Sequence, residues 1–344
     1  MQISREIFEQ QQHPRFGTSN PERMRVELWE WMIRGGGNAR MPGEITWIFE
    51  DGNLQGTQTP YAARQFFRTE LDCAGGPCWT FDRMGATQTT LNDGRIVCIG
   101  GEHEDFYDPD FCIYNDVVVL GPSAEVEIFG YPKEVFPPTD FHTASLVGNE
   151  IVIIGCTGYQ NERRYGYTPM YRLDLTDYHI REMTSLDEMP GWISKHAARV
   201  APDGVIVVTG GEVVSKKDER EVYRPNIEEY AVDIASGSWR RLTNRNWPQF
   251  AIRMESRRMF NYERWPRPKT LLPEGVEYSL LECDSLLGAK IAVRDVRIAI
   301  SVKISEIRIL VEGDLPPPVV EQLIESMRVH AQSAVGESCW VEEI

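Results

Sequence analysis

The chain has 344 residues, enough for one large domain or two ordinary ones, and its 42% hydrophobic content is that of a protein with a sizeable core. A formal net charge of −16 repels phosphate backbones, which argues against nucleic acid and leaves a basic protein, a cation or no partner at all. Nine Trp, 13 Tyr, 28 Gly and 21 Pro favour short strands, many turns and aromatic packing, a mainly β pattern.

In chain order, the first residues, Met1 to Glu9, carry no apolar signal stretch, and no later run approaches the ~18 apolar residues of a membrane span. Residues 20–34 read as a helix, with Asn20 as cap, Pro21 at its first position, Gly35 as its stop and Met24 and Leu28 on its apolar face. A second helix is expected from Pro60 to about Glu70, after Thr59. Residues 1–78 thus form an N-terminal helical and strand segment packed on the central part of the chain. Cys73 and Cys78 bracket Ala-Gly-Gly-Pro, but no second pair at zinc spacing accompanies them. Seven scattered cysteines read as reduced thiols, so a cytoplasmic location is expected.

A repeat occupies the centre. Gly94-Arg-Ile-Val-Cys-Ile-Gly100-Gly101, Asn149-Glu-Ile-Val-Ile-Ile-Gly155-Cys156 and Gly204-Val-Ile-Val-Val-Thr-Gly210-Gly211 align without gaps at a spacing of 55 residues. Each apolar, β-branched core predicts a strand buried on both faces. A small polar stretch precedes each strand: Gly85-Ala-Thr-Gln-Thr, Phe141-His142-Thr-Ala-Ser and Lys195-His196-Ala-Ala-Arg. After it, Tyr171 precedes Asp174 by three and Ile180 by nine, and Tyr230 precedes Asp233 by three and Trp239 by nine.

These features resemble the kelch family, in which an apolar strand ends in Gly-Gly and Tyr and Trp follow at fixed offsets. Cys156 departs from the second Gly, and Ile180 stands where Trp is expected. The strings Gly101 to Asp116 and Phe136 to Thr143 also look like a group of uncharacterised bacterial kelch-like proteins. The resemblance covers about half the chain and implies a kelch-type β-propeller, small or incomplete, over residues 79–250, with His142 and His196 in packing or hydrogen-bonding roles. Three units do not close a ring, since propellers use about four or more blades. Ile45–Phe49 with Trp79–Phe81, or C-terminal strands, could supply the missing sector.

Beyond Asn246-Trp-Pro the repeat is lost and Arg257 to Lys269 reads as a connector. Strands are expected at Val276–Cys283, Lys290–Lys303 and Ser305–Glu312, then a helix after Pro316-Pro-Pro318 and a short strand at Cys339-Trp-Val. Residues 270–344 form a small α+β subdomain in this reading, with 13 acidic against six basic residues.

Chemistry concentrates in two loops. His103, Glu104, Asp105, Asp108 and Asp110 place an imidazole and four carboxylates together and could hold a divalent metal, or simply fix the loop through side-chain-to-backbone bonds. The spacing matches neither the calcium-loop nor the zinc patterns. The second loop, with Tyr159, Arg163, Arg164, Tyr165 and Tyr167, carries the residue types that anchor protein interfaces. No nucleophile elbow, phosphate loop or dinucleotide fingerprint is present. The expected function is a protein-binding scaffold that uses the loops of one propeller face, with no cofactor. The alternative is a metal-assisted hydrolase or lyase at 102–110. Homo-oligomerisation stays open.

Overall fold

Each of the three apolar segments ending at Gly100, Gly155 and Gly210 is the second strand of an antiparallel sheet in the computed structural model, of five strands in the first case and four in the other two. The structure describes residues 5–11, 15–35, 83–103, 111–123, 125–185, 187–217, 220–244, 248–255, 271–284, 288–294, 296–302 and 306–344. It divides into two units, Met1–Thr243 and Asn244–Ile344. The expected helix at Pro60–Glu70, the strand at Ile45–Phe49, Trp79–Phe81, Cys73 and Cys78 lie outside the described residues.

In the first unit α1 (Arg5–Gln11), β1 (Glu22–Met24) and α2 (Glu27–Gly35) precede the repeats. The first repeat sheet holds β2 (Thr87–Thr90), β3 (Ile96–Ile99), β6 (Val117–Leu120) and β7 (Val126–Gly130), and a small ladder of β4 (Glu102–His103) and β5 (Cys112–Ile113) lies between β3 and β6 in sequence. The second holds β8 (Thr143–Val147), β9 (Glu150–Ile154), β10 (Met170–Asp174) and β11 (Ile180–Glu182). The third holds β13 (Ala197–Val200), β14 (Val205–Thr209), β17 (Tyr230–Asp233) and β18 (Trp239–Arg241). A separate sheet of β12 (Trp192–Ser194), β15 (Glu212–Lys217) and β16 (Arg220–Pro225) grows from the third repeat.

The polar stretches ahead of β2, β8 and β13 join the sheets to one another. The Phe141 amide donates to Gly85 C=O at 2.8 Å, and the Lys195 amide donates to Phe141 C=O at 2.9 Å. Gly85, Phe141 and Lys195 all have positive φ, 66°, 47° and 56°, so the same left-handed step recurs at each sheet entrance. One residue on, His142 Nε2 pairs with Thr87 Oγ1 at 2.7 Å and His196 Nε2 with Thr143 Oγ1 at 2.9 Å. Above them, the Gly101 amide donates to Thr139 C=O and the Cys156 amide to Ile193 C=O, at 2.8 and 2.9 Å. This close approach explains two of the repeated glycines. A Cβ on Gly100 would sit 2.1 Å from Thr139 O, and one on Gly155 2.3 Å from Ile193 O.

Burial follows the same order. Ile151, Val152, Ile153 and Ile154 of β9 are all at most 1% exposed because sheets lie on both sides of them. Ile151 and Ile153 join Val97, Ile99 and Val117, whereas Val152 and Ile154 join Ile206 and Val208. The array has distinct ends. Ile96 and Cys98, on the far side of the first sheet, form a core with Leu28, Trp29 and Ile33 of α2. Arg83 lies between the Trp29 and Tyr114 rings, 5.0 and 3.5 Å from their centroids, and forms a buried ion pair with Asp116. On the third sheet Ile206 and Val208 are fully buried while Val205 and Val207 are half-buried and join no apolar cluster among the described residues. Arg199, Asp233 and Arg240 are exposed on the same side as Val207. The described repeats therefore form an open row of three, covered by a helix at one end and polar at the other, the pattern of a repeat array with caps.

The segment expected as a helix over residues 20–34 divides into β1, paired with β7, and a helix from Glu27. Tertiary contacts take its capping groups. The Asn20 amide brackets Ile180, donating to its C=O at 2.7 Å and accepting its N–H at 2.9 Å, and the Glu22 carboxylate accepts from Thr18 N–H and Oγ1.

The second unit is a six-stranded sheet in the order β20 (Ser279–Asp284), β21 (Gly288–Val293), β22 (Val296–Val302), β23 (Glu306–Glu312), β19 (Gln249–Met254) and β24 (Cys339–Glu343). Helix α3 (Pro317–Val335) buries Leu323, Met327 and Ala331 among apolar residues of the sheet, and Gly336 ends it in the left-handed region. Two expectations change here. The strand expected over Lys290–Lys303 is a hairpin that turns at Arg294, φ 59°, and β19, ahead of residue 270, is inserted between β23 and β24.

Two outcomes test this architecture. Ile153→Ala should cost about 3 kcal/mol in urea unfolding, and Val207→Lys less than about 1 kcal/mol, because only Ile153 is packed between sheets. Burial holds His142 at about 3 and His196 at about 4, below the ordinary 6.5, and the His196 imidazole further discourages a charge on His142. Between pH 6.5 and 4 the unfolded chain therefore takes up protons that the folded chain does not, and stability should fall as pH drops through that window. The urea midpoint should be lower at pH 5 than at pH 7, with a smaller difference in a His142→Gln/His196→Gln variant.

Candidate functional site

The loop from Cys156 to Pro169 leaves β9 at Gly155 and is held by neighbours on both sides. Tyr159 Oη accepts the Ile113 amide of β5 at 2.8 Å, with its ring edge-on to Phe111. On the other side β16 supplies Glu221 and Tyr223. Arg163 donates to Glu221 at 2.8 Å and to Tyr223 Oη at 2.6 Å, and also to the backbone oxygens of Thr157 and Gly158. Tyr165 Oη donates to the other oxygen of Glu221 at 2.8 Å. The Arg163 side chain is only 7% exposed, so it acts as an internal brace.

Of the remaining residues of the expected binding set, Arg164 and Tyr165 are exposed and Tyr167 is half-buried. Arg164 is 52% exposed at its side chain, donates to Glu182 at 2.7 Å and lies 3.9 Å from the Tyr167 ring centroid. Tyr167 Oη also donates to Glu182, and burial followed by that carboxylate pushes its phenol up to about 12. Tyr165 is exposed. Glu182, which lies on β11 and carries no local motif, was not among the residues expected from the sequence.

Beside the loop is a cleft of about 380 Å³. Pro137, Pro138, Pro169, Tyr171 and Trp192 give it an apolar wall, and Lys133, Glu134, Glu162, Arg164 and Glu182 also line it. Trp192 is fixed by its indole N–H, which donates to Thr157 C=O at 3.0 Å. Cys156 reaches the cleft, and burial raises its thiol well above the usual range, which favours the protonated form.

Of the expected metal set, Glu104, Asp105, Asp108 and Asp110 lie outside the described residues, and the His103 backbone pairs with Cys112 across β4 and β5. No group of three or more metal-ligating side chains converges among the described residues. Close to β4, the buried Asp140 carboxyl lies in hydrogen-bonding reach of Glu102, and burial raises its pKa. Its Oδ1 accepts the Gly158 amide at 2.7 Å and its main-chain oxygen the Thr157 amide at 3.1 Å, so Asp140 tethers the start of the 156–169 loop. No described helix is long and apolar enough to cross a membrane.

No protein-family model matches the chain, and no curated protein does. Among solved structures, that of YjhT aligns with a TM-score of 0.34 and 14% identity, over 48% of this chain and 52% of its own. A fungal alcohol oxidase of the AA5 family, solved in complex with copper, aligns with a TM-score of 0.33 and 12% identity, over 67% of this chain and 53% of its own. The chain spans about half the length of each. The fold the described residues define is mainly β, built of several antiparallel sheets, with no closed propeller among them.

The brace and the exposed cation should separate on mutation. Arg163→Ala should destabilise the first unit by about 3 kcal/mol, because it leaves Glu221 buried without its partner, and should open the 156–169 loop to proteolysis. Arg164→Ala should cost under about 1 kcal/mol in the same urea titration.

Proposed function

We propose that the chain is a protein-binding scaffold: an open row of kelch-type blades that presents the 156–169 loop and its neighbouring cleft to a partner protein. The observation that carries this reading is the division of labour within the loop. Arg163 and Tyr159 hold it rigid, while Arg164 and Tyr165 are exposed and Tyr167 is half-buried beside a cleft with proline and aromatic walls. Exposed Arg and Tyr on a pre-ordered loop bind with little loss of conformational entropy, which is how rigid recognition surfaces gain affinity. The kelch-type reading rests on the 55-residue repeat and on its recurring glycines, histidines and sheet order.

The test is comparative. The tagged full-length chain should co-purify with one stoichiometric partner from its native cells. An Arg164→Ala/Tyr165→Ala variant should lose that partner at least about tenfold, as expected for interface anchors, while Val207→Lys keeps it. Retention of the partner by the double variant would overturn the reading.

A further inference from the structure

The charges around the cleft are unevenly satisfied. Arg164, one of its two cations, is engaged by Glu182, and the ammonium of the other, Lys133, lies 4.3 Å from the centroid of the Phe16 ring. Glu182 accepts from both Arg164 and Tyr167. Glu134 and Glu162 are different. Both line the cleft, both are exposed, and neither carboxylate has a hydrogen bond or ion pair to a side chain among the described residues. Two unspent carboxylates therefore border a wall of Pro137, Pro169 and Trp192.

That combination selects a ligand with an aliphatic stem and a cationic head. The stem would lie on the apolar wall, and the head would meet the two carboxylates at the exposed rim of the cleft. An acidic or phosphate-bearing group would meet two carboxylates there against one cation, Lys133, that no described carboxylate engages, on a chain whose net charge is already −16. We infer that the cleft bordered by Glu134 and Glu162 receives an Arg or Lys side chain from an extended, basic segment of the partner protein. This rests on the scaffold reading and adds to it the partner's chemistry. Arg164 and Tyr165 then supply affinity beside the cleft, and the two glutamates choose the partner's charge.

Three peptides of the form (Gly-X-Pro-Ser) repeated three times, with X as Arg, Gln or Glu, test the inference by fluorescence anisotropy with the full chain at physiological salt. The Arg peptide should bind at least about tenfold more tightly than the Gln peptide, and the Glu peptide should not bind, since each well-placed charge pair contributes a factor of this order. Glu134→Gln/Glu162→Gln should remove most of the Arg preference, whereas Glu27→Gln/Glu321→Gln, an equal charge change elsewhere, should change binding less than about twofold. Equal binding of the Arg and Gln peptides, or equal loss in both glutamine pairs, would overturn the inference, as would N-acetyl-arginine amide binding as tightly as the Arg peptide. A native partner lost by Arg164→Ala/Tyr165→Ala but kept by Glu134→Gln/Glu162→Gln would leave the scaffold reading standing and this one refuted. A partner kept by both variants would remove both.

Discussion

The first unit depends on how one sheet is joined to the next. Each described junction combines a backbone bond at the sheet entrance, a His–Thr side-chain bond and a backbone bond above the recurring Gly. The backbone groups and imidazole Nε2 atoms that join the sheets are thereby paired where water is largely excluded, while His142 Nδ1 and His196 Nδ1 lie buried without a partner among the described residues. Burial favours the neutral form of both imidazoles.

The junction also explains where the described row ends. The His position of the first repeat is Ala86 and the Thr position of the third is Ala197, so neither terminal sheet has the side chain needed to continue the pattern outward. Helix α2 and the Arg83–Asp116 pair cover the first end, and exposed charges keep the third end wettable. The ordered row gives the β15–β16 hairpin a fixed base from which Glu221 and Tyr223 hold the 156–169 loop. The order of the 156–169 loop rests on a chain of constraints that begins in the sheet interfaces.

Much of this was legible in the residues. A 55-residue interval, β-branched strands and terminal glycines identify repeated, doubly buried strands, because those properties reflect local backbone geometry and burial. The aromatic and cationic loop was also legible, since residue type is enough to nominate an interface. The acidic loop was nominated in the same way, but only His103 of its set lies among the described residues, and its backbone pairs with Cys112. The expected helix over residues 20–34 shows the limit of local signals. Asn20 and Glu22 look like capping residues, yet Asn20 bonds to Ile180, 160 positions away.

By itself, then, the sequence determined the repeat, its strand cores and the presence of an Arg- and Tyr-rich loop after the second of them. Tertiary structure alone decided which of those loop residues face inward and which outward. Arg163 and Arg164 are adjacent and chemically identical, but only one lies within reach of Glu221 and Tyr223. The difference arises from a hairpin more than 50 residues downstream, and no local pattern encodes where that hairpin comes to rest.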